Sequence, residues 1–80
     1  MPKKSLYRAE NAVLSRLLRE MRDAAGLTQA ELAKAIKRRQ SYISTVENGD
    51  RRLDLLQLRE YCAACGVSLP TFVKRFEAAI

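Results

Sequence analysis

Leu27-Thr28-Gln29-Ala30-Glu31-Leu32-Ala33-Lys34, followed after Ala35–Arg39 by Gln40-Ser41-Tyr42-Ile43-Ser44-Thr45-Val46-Glu47-Asn48-Gly49, holds two short helical patterns back to back. The first opens with a capping box. The Thr28 hydroxyl is placed to accept the Glu31 backbone N–H, and Glu31 to reach back to Thr28, with Leu27 ahead of it as a hydrophobic staple for Leu32. Leu32, Ala33 and Ile36 form its inward face, and it lasts about two turns before the basic cluster Lys37-Arg38-Arg39. The second pattern spans Gln40 to Glu47. Ile43 and Val46 point inward, Gln40, Ser41, Ser44 and Thr45 share the outward face, and Asn48-Gly49 ends it because both residues accept left-handed backbone geometry.

Working outward from this pair, the same signals recur. Upstream, Leu14, Leu17, Leu18, Met21 and Ala25 fall at spacings of three and four, one apolar face of a helix from about Tyr7 to Ala25 that stops at Gly26. Downstream, Asp54 and Gln57 make a second capping box, opening a helix whose stripe is Leu55, Leu58, Cys62 and Cys65 and whose stop is Gly66. Ser68 caps a last helix, about 69–79, with Pro70 tolerated in its first turn. Leu69, Phe72, Val73, Phe76 and Ile80 line its apolar side, either completing the core or forming a dimer seam. No strand pattern competes. The expectation is an all-α fold of five helices, a single domain over residues 1–80.

Eighty residues leave room for one small core, burying about 60–65% of the unfolded surface. Fifteen Lys and Arg against nine Asp and Glu give a net charge of +6, a surplus suited to a polyanion such as nucleic acid. Its location matters more than its size. Lys34, Lys37, Arg38, Arg39, Arg51 and Arg52 lie in one segment opposed only by Glu47 and Asp50. No apolar run is long enough for a membrane span, and Met-Pro-Lys-Lys-Ser lacks the apolar stretch of a signal peptide. The expected location is the cytoplasm, with no membrane partner.

A short helix fits the major groove of DNA, and its uncharged outward set, Gln40, Ser41, Ser44 and Thr45, suits hydrogen bonding to base edges. The surrounding cations suit phosphates, so that positioning contacts ring specifying ones. The residues quoted at the outset, together with Leu55–Leu58 and Cys65-Gly66-Val67-Ser68, resemble the Xre or Cro/CI-type family of lambda-repressor-like helix-turn-helix domains, with the motif at about 28–48. The likeness runs from about Leu17 to Phe72.

That resemblance implies roles. Gln40, Ser41 and Ser44 match base-reading positions, with Thr45 beside them. Gln29 matches a residue that bonds a phosphate from the start of a helix, and Tyr42 and Asn48 match positions that touch the DNA backbone. Lys37, Arg38, Arg39 and Arg51 add charge where phosphates run. Arg22 and Glu47 correspond to a salt bridge that ties the first helix to the end of the reading helix. Ala33 matches the small residue at which the two motif helices cross. The turn departs from the pattern: Lys37 stands where Gly is usual, Arg38 where an apolar residue is usual, and Arg39 where Ser or Pro often begins the helix.

Other chemistry is poorly served. Cys62 and Cys65 fall short of the four ligands that zinc needs, and there is no His to add. They read as core residues on an apolar stripe. Glu20, Asp23 and Glu31 lack a nucleophile, a His or a phosphate loop, so neither an enzyme nor a cofactor is expected. The expected function is a sequence-specific regulator of transcription, a repressor bound as a homodimer to an inverted repeat in double-stranded DNA. A stand-alone regulator, a phage-type repressor, a restriction–modification controller and an antitoxin stay open, with a toxin or polymerase as possible protein partner. So does a protein-interaction module of the same fold that reads no DNA.

Overall fold

The computed structural model describes residues 2–80, with side chains described from Ala9 onward. Among these residues the chain forms helices and no strand: α1 Pro2–Ala24, α2 Gln29–Ala35, α3 Gln40–Glu47, α4 Leu55–Ala64 and α5 Leu69–Ala79. The α1 backbone is helical upstream of Tyr7, and the side chains of the basic N-terminal stretch lie outside the described residues. No helix among the described residues is long and apolar enough to cross a membrane.

Local chemistry sets most of the boundaries. Thr28 with Glu31, and Asp54 with Gln57, both form reciprocal capping boxes, and the Ser68 hydroxyl accepts the Thr71 N–H. The first four helices all end in the same two hydrogen bonds, the Schellman arrangement that satisfies otherwise unpaired carbonyls. At the end of α1, Leu27 N–H donates to the Arg22 carbonyl and Gly26 N–H to that of Asp23. At the end of α2, Arg38 N–H donates to Ala33 at 2.8 Å and Lys37 N–H to Lys34 at 3.2 Å. Glycine holds the left-handed position after α1, α3 and α4, but after α2 it is Lys37, at φ 58°. The missing glycine therefore leaves the turn's geometry intact, at a cost of about 1 kcal/mol for a side chain in that region.

The core draws on every helix: Leu18 and Met21 from α1, Leu32, Ala33 and Ile36 from α2 and its end, Tyr42, Ile43 and Val46 from α3, Tyr61, Cys62 and Cys65 from α4, and Phe72 from α5. Several expected core positions differ. Leu55, assigned from spacing to the α4 stripe, is 66% exposed. The inward face of α4 runs instead through Leu58, Tyr61, Cys62 and Cys65, with Leu55 in the first turn lying off it. Ala25 is exposed just past the end of α1; Val73 in α5 and Ile80 just after it, for which core and seam were both open, are exposed.

Candidate nucleic-acid interface

Two short helices and one tight turn present the outward face of α3. Gln40 and Ser41 are exposed, and Ser44 and Thr45 are half-buried. Arg39 takes the extended N-cap geometry ahead of α3 but makes no side-chain cap, so the first N–H groups of the helix are not closed off by it. The Thr45 hydroxyl donates back to the helix carbonyls of Ser41 at 3.0 Å and Tyr42 at 2.9 Å. Its donor is thus committed, and what Thr45 offers outward is an acceptor and a methyl group.

The position of α3 is set from beneath by Glu47. This carboxylate, 8% exposed, accepts four hydrogen bonds. Arg22 Nε reaches Oε2 at 2.7 Å and Arg22 Nη2 reaches Oε1 at 3.0 Å. Gln29 Nε2 donates to Oε1 at 3.1 Å, and the Tyr61 hydroxyl to Oε2 at 3.0 Å. One side chain at the end of α3 is therefore bonded to α1, α2 and α4. Burial works to raise the Glu47 pKa, but the hydrogen bonds from Arg22, Gln29 and Tyr61 outweigh it and hold the carboxyl below its usual value. The Arg22 guanidinium is raised, first by its hydrogen bond to Glu47. The Tyr61 phenol is driven up by burial and then by the neighbouring carboxylate, so it stays a donor at neutral pH.

Two further side chains of α1 hold the same C-terminal end of α3. Ser15 Oγ donates to the Val46 carbonyl at 3.1 Å, and Asn11 Nδ2 to the Gly49 carbonyl at 3.0 Å. These residues and Tyr61 were not singled out from the sequence. The available signal was the spacing of Asn11, Ser15 and Arg22, four and seven apart, which places polar groups on the face of α1 that also carries Leu18.

Beside α3, Arg38, Arg39 and Arg51 gather with Ser41, Tyr42, Thr45 and Asp50 around an open cleft of about 400 Å³. Tyr42 is 7% exposed, so most of the residue lies inside. Its ring carries the Arg38 guanidinium 5.0 Å from its centroid and that of Arg51 at 5.2 Å, distances within reach of cation–π attraction. Arg38 also lies 3.6 Å from Glu60 of α4. Lys37, Arg39 and Asn48 are exposed near the ends of α2 and α3. Gln29, matched from the sequence to a phosphate contact, has one amide hydrogen on Glu47 and one left over. The structure thus gathers Ser41, Thr45 and three arginines around one cleft, with Gln40 and Ser44 the residues preceding Ser41 and Thr45 on α3, and joins Arg22, Gln29 and Glu47 by hydrogen bonds.

The cysteines lie elsewhere, buried among the core residues. Burial pushes the Cys62 thiol up to about 11 and raises Cys65 as well.

Comparison with known proteins accords with this geometry. Residues 13–72 match the family model described as a helix-turn-helix domain. A Mycobacterium tuberculosis protein named as antitoxin HigA2 is 41% identical over 58 residues, 71% of this chain; the match spans 57% of that protein's length. The solved structure of an XRE-family-like protein from Pseudomonas syringae pv. tomato superposes with a TM-score of 0.88 at 38% identity, covering 96% of this chain and 94% of that one. The clp gene regulator ClgR of Corynebacterium glutamicum gives a TM-score of 0.78 at 27% identity, covering 88% and 90%. The chain belongs to the XRE family of helix-turn-helix proteins.

Proposed function

We propose that this protein is a sequence-specific DNA-binding regulator of transcription, acting in the cytoplasm as a repressor. It would bind an inverted-repeat operator as a homodimer, with one α3 in each of two successive major grooves. The observation that carries this reading is the uncharged, short-chained face of α3, held rigidly by Glu47 and flanked by Arg38, Arg39 and Arg51. Gln40, Ser41 and Ser44 would read base edges, with Thr45 supplying a methyl or acceptor contact. Lys37, Arg38, Arg39, Arg51 and Asn48 would meet phosphates. Gln29 would add a phosphate bond with its remaining amide hydrogen, and Tyr42 would act chiefly by holding two arginines in place. Occupying a promoter would exclude polymerase.

The test compares the wild type with Gln40→Ala, Ser41→Ala on a bound operator and on scrambled DNA. The double variant should lose about 1–3 kcal/mol of site preference per lost base contact, while its affinity for scrambled DNA and its stability stay unchanged. An unaltered site preference would refute the assignment. A second reading, an antitoxin that also binds a toxin, is favoured by the 41% identity to HigA2. Co-purification with the product of an adjacent gene would establish it.

A further inference from the structure

Four large apolar side chains stand well out into solvent: Leu55 at 66%, Leu56 at 76%, Val73 at 42% and Ile80 at 52%. The first two sit at the start of α4. There Leu56, Arg59, Glu60 and Ala63 follow one another at helical spacings of three, four and seven, and these four residues line one shallow hollow. Such a face pairs with itself. Laid antiparallel on a copy about a two-fold axis between Arg59 and Glu60, it sets Leu56 on the partner's Ala63 and Arg59 beside the partner's Glu60, and each contact occurs twice. A large apolar group faces a small one, and a cation faces an anion.

We infer that this face of α4 is where a second copy of the chain docks; the inference rests on the dimeric reading proposed above. Charge makes the choice of face selective. Each copy carries +6, so two copies repel unless the seam is locally neutral, and Arg59 and Glu60 balance one another. The other exposed apolar stripe, Val73, Phe76, Glu77 and Ile80 on α5, has the same spacing but not the same complementarity. Its antiparallel pairing sets Glu77 against the partner's Phe76, an anion with no cation opposite it. Phe76 is also turned partly inward, lining a hollow with Leu14 and Leu53. The apolar seam expected on the last helix therefore moves to α4.

The α4 face also adjoins the reading surface. Glu60 lies 3.6 Å from Arg38, a loose pair with both side chains about two-fifths exposed, and Arg38 in turn lies over Tyr42. Glu60 is thus free to take the partner's Arg59 while keeping its hold on Arg38. Dimer contact and the basic cleft beside α3 share one carboxylate.

The test uses two charge reversals, Arg59→Glu and Glu60→Arg, on exposed positions, with mass measured by sedimentation equilibrium in the absence of DNA. Either variant alone sets like charges across the seam twice and should weaken the dimer about tenfold or more. Mixed in equal amounts, the two should form a heterodimer, because each charge then faces its opposite; that rescue also shows that both chains fold. Val73→Glu should leave the dimer intact. The inference is overturned if the wild type is monomeric at about 100 µM, weaker than any useful dimer constant. It is equally overturned if the reversed chains dimerise like the wild type, if the mixture fails to pair, or if Val73→Glu alone dissociates the protein. A dimer that behaves as expected but selects no DNA sequence would sink the regulator reading and leave the seam standing.

Discussion

Arg22 and Glu47 meet through two parallel hydrogen bonds, at 2.7 and 3.0 Å, joining the last turn of α1 to the last residue of α3. A carboxylate at a helix C-terminus faces the negative end of the helix dipole, so Glu47 is poorly placed unless a cation answers it. Arg22, at the C-terminus of its own helix, is well placed for the same reason. The third guanidinium nitrogen donates to the Leu27 carbonyl at 2.8 Å, which fixes the link between α1 and α2 as well. The reading helix is therefore oriented by an electrostatic contact as well as by its core residues Tyr42, Ile43 and Val46.

Removing that charge should be costly. Glu47→Gln leaves the Arg22 guanidinium, 12% exposed, with only the exposed Asp23 carboxylate at 3.3 Å, and breaking such a buried pair from one side costs about 3 kcal/mol. In a domain of this size that lowers the midpoint of thermal unfolding by roughly 12 °C or more. Tyr61→Phe removes one hydrogen bond to the same carboxylate, for which about 1.5 kcal/mol is expected. Thermal unfolding followed by circular dichroism ranks the two.

Acid should act through the same group. The folded Glu47 carboxyl titrates below the ordinary glutamate value of 4.5. The stability it contributes is therefore fully present above about pH 5 and is lost as the pH falls below 4.5 through the folded pKa. Denaturant midpoints measured from pH 7 to pH 3 should be flat at first and then fall. In Glu47→Gln the fall should be smaller.

Lys37→Gly should separate stability from binding. Glycine at φ 58° relieves the side-chain strain, and a gain of about 0.5–1 kcal/mol is expected. Loss of a lysine beside α3 should at the same time lower affinity for any DNA sequence and flatten the salt dependence by about one phosphate contact. Denaturant titration and binding isotherms at several salt concentrations check the two halves.

The cysteines give an independent probe. With Cys62 and Cys65 buried and their thiols raised, Cys62 to about 11, little thiolate exists near neutrality. Alkylation of the folded protein at pH 8 should be slow and should accelerate sharply across the unfolding transition.

The helix boundaries were legible because their causes are local. Thr28 with Glu31, Asp54 with Gln57, and the glycines at 26 and 66 act within one turn of chain, and α3 spans the Gln40–Glu47 read from its pattern. Resemblance to a known family supplied the Arg22 and Glu47 partnership, whose members are far apart in sequence. What stayed hidden depends on tertiary neighbours. Tyr61 reaches Glu47 from α4, Asn11 reaches Gly49 from α1, and Glu60 approaches Arg38; spacing within a helix can mark the face such a residue shares, as it does for Asn11, but not the partner it meets. Leu55 was misplaced because a spacing of three and four leaves open which edge of the apolar stripe turns inward, and α4 buries the edge that carries Tyr61 rather than Leu55. Gln29 shows a further limit: the sequence marks it as a surface amide at a helix start, yet half its donor capacity is spent on Glu47.

Selection of bound fragments from a random duplex pool at about 150 mM salt, where weak surface attraction is screened, asks whether α3 reads a DNA sequence. A short inverted repeat with half-sites about 10 bp apart should be recovered, and it should be lost when Gln40 and Ser41 are both changed to alanine. A pool that returns no common sequence, with binding that simply fades as salt rises, would contradict it.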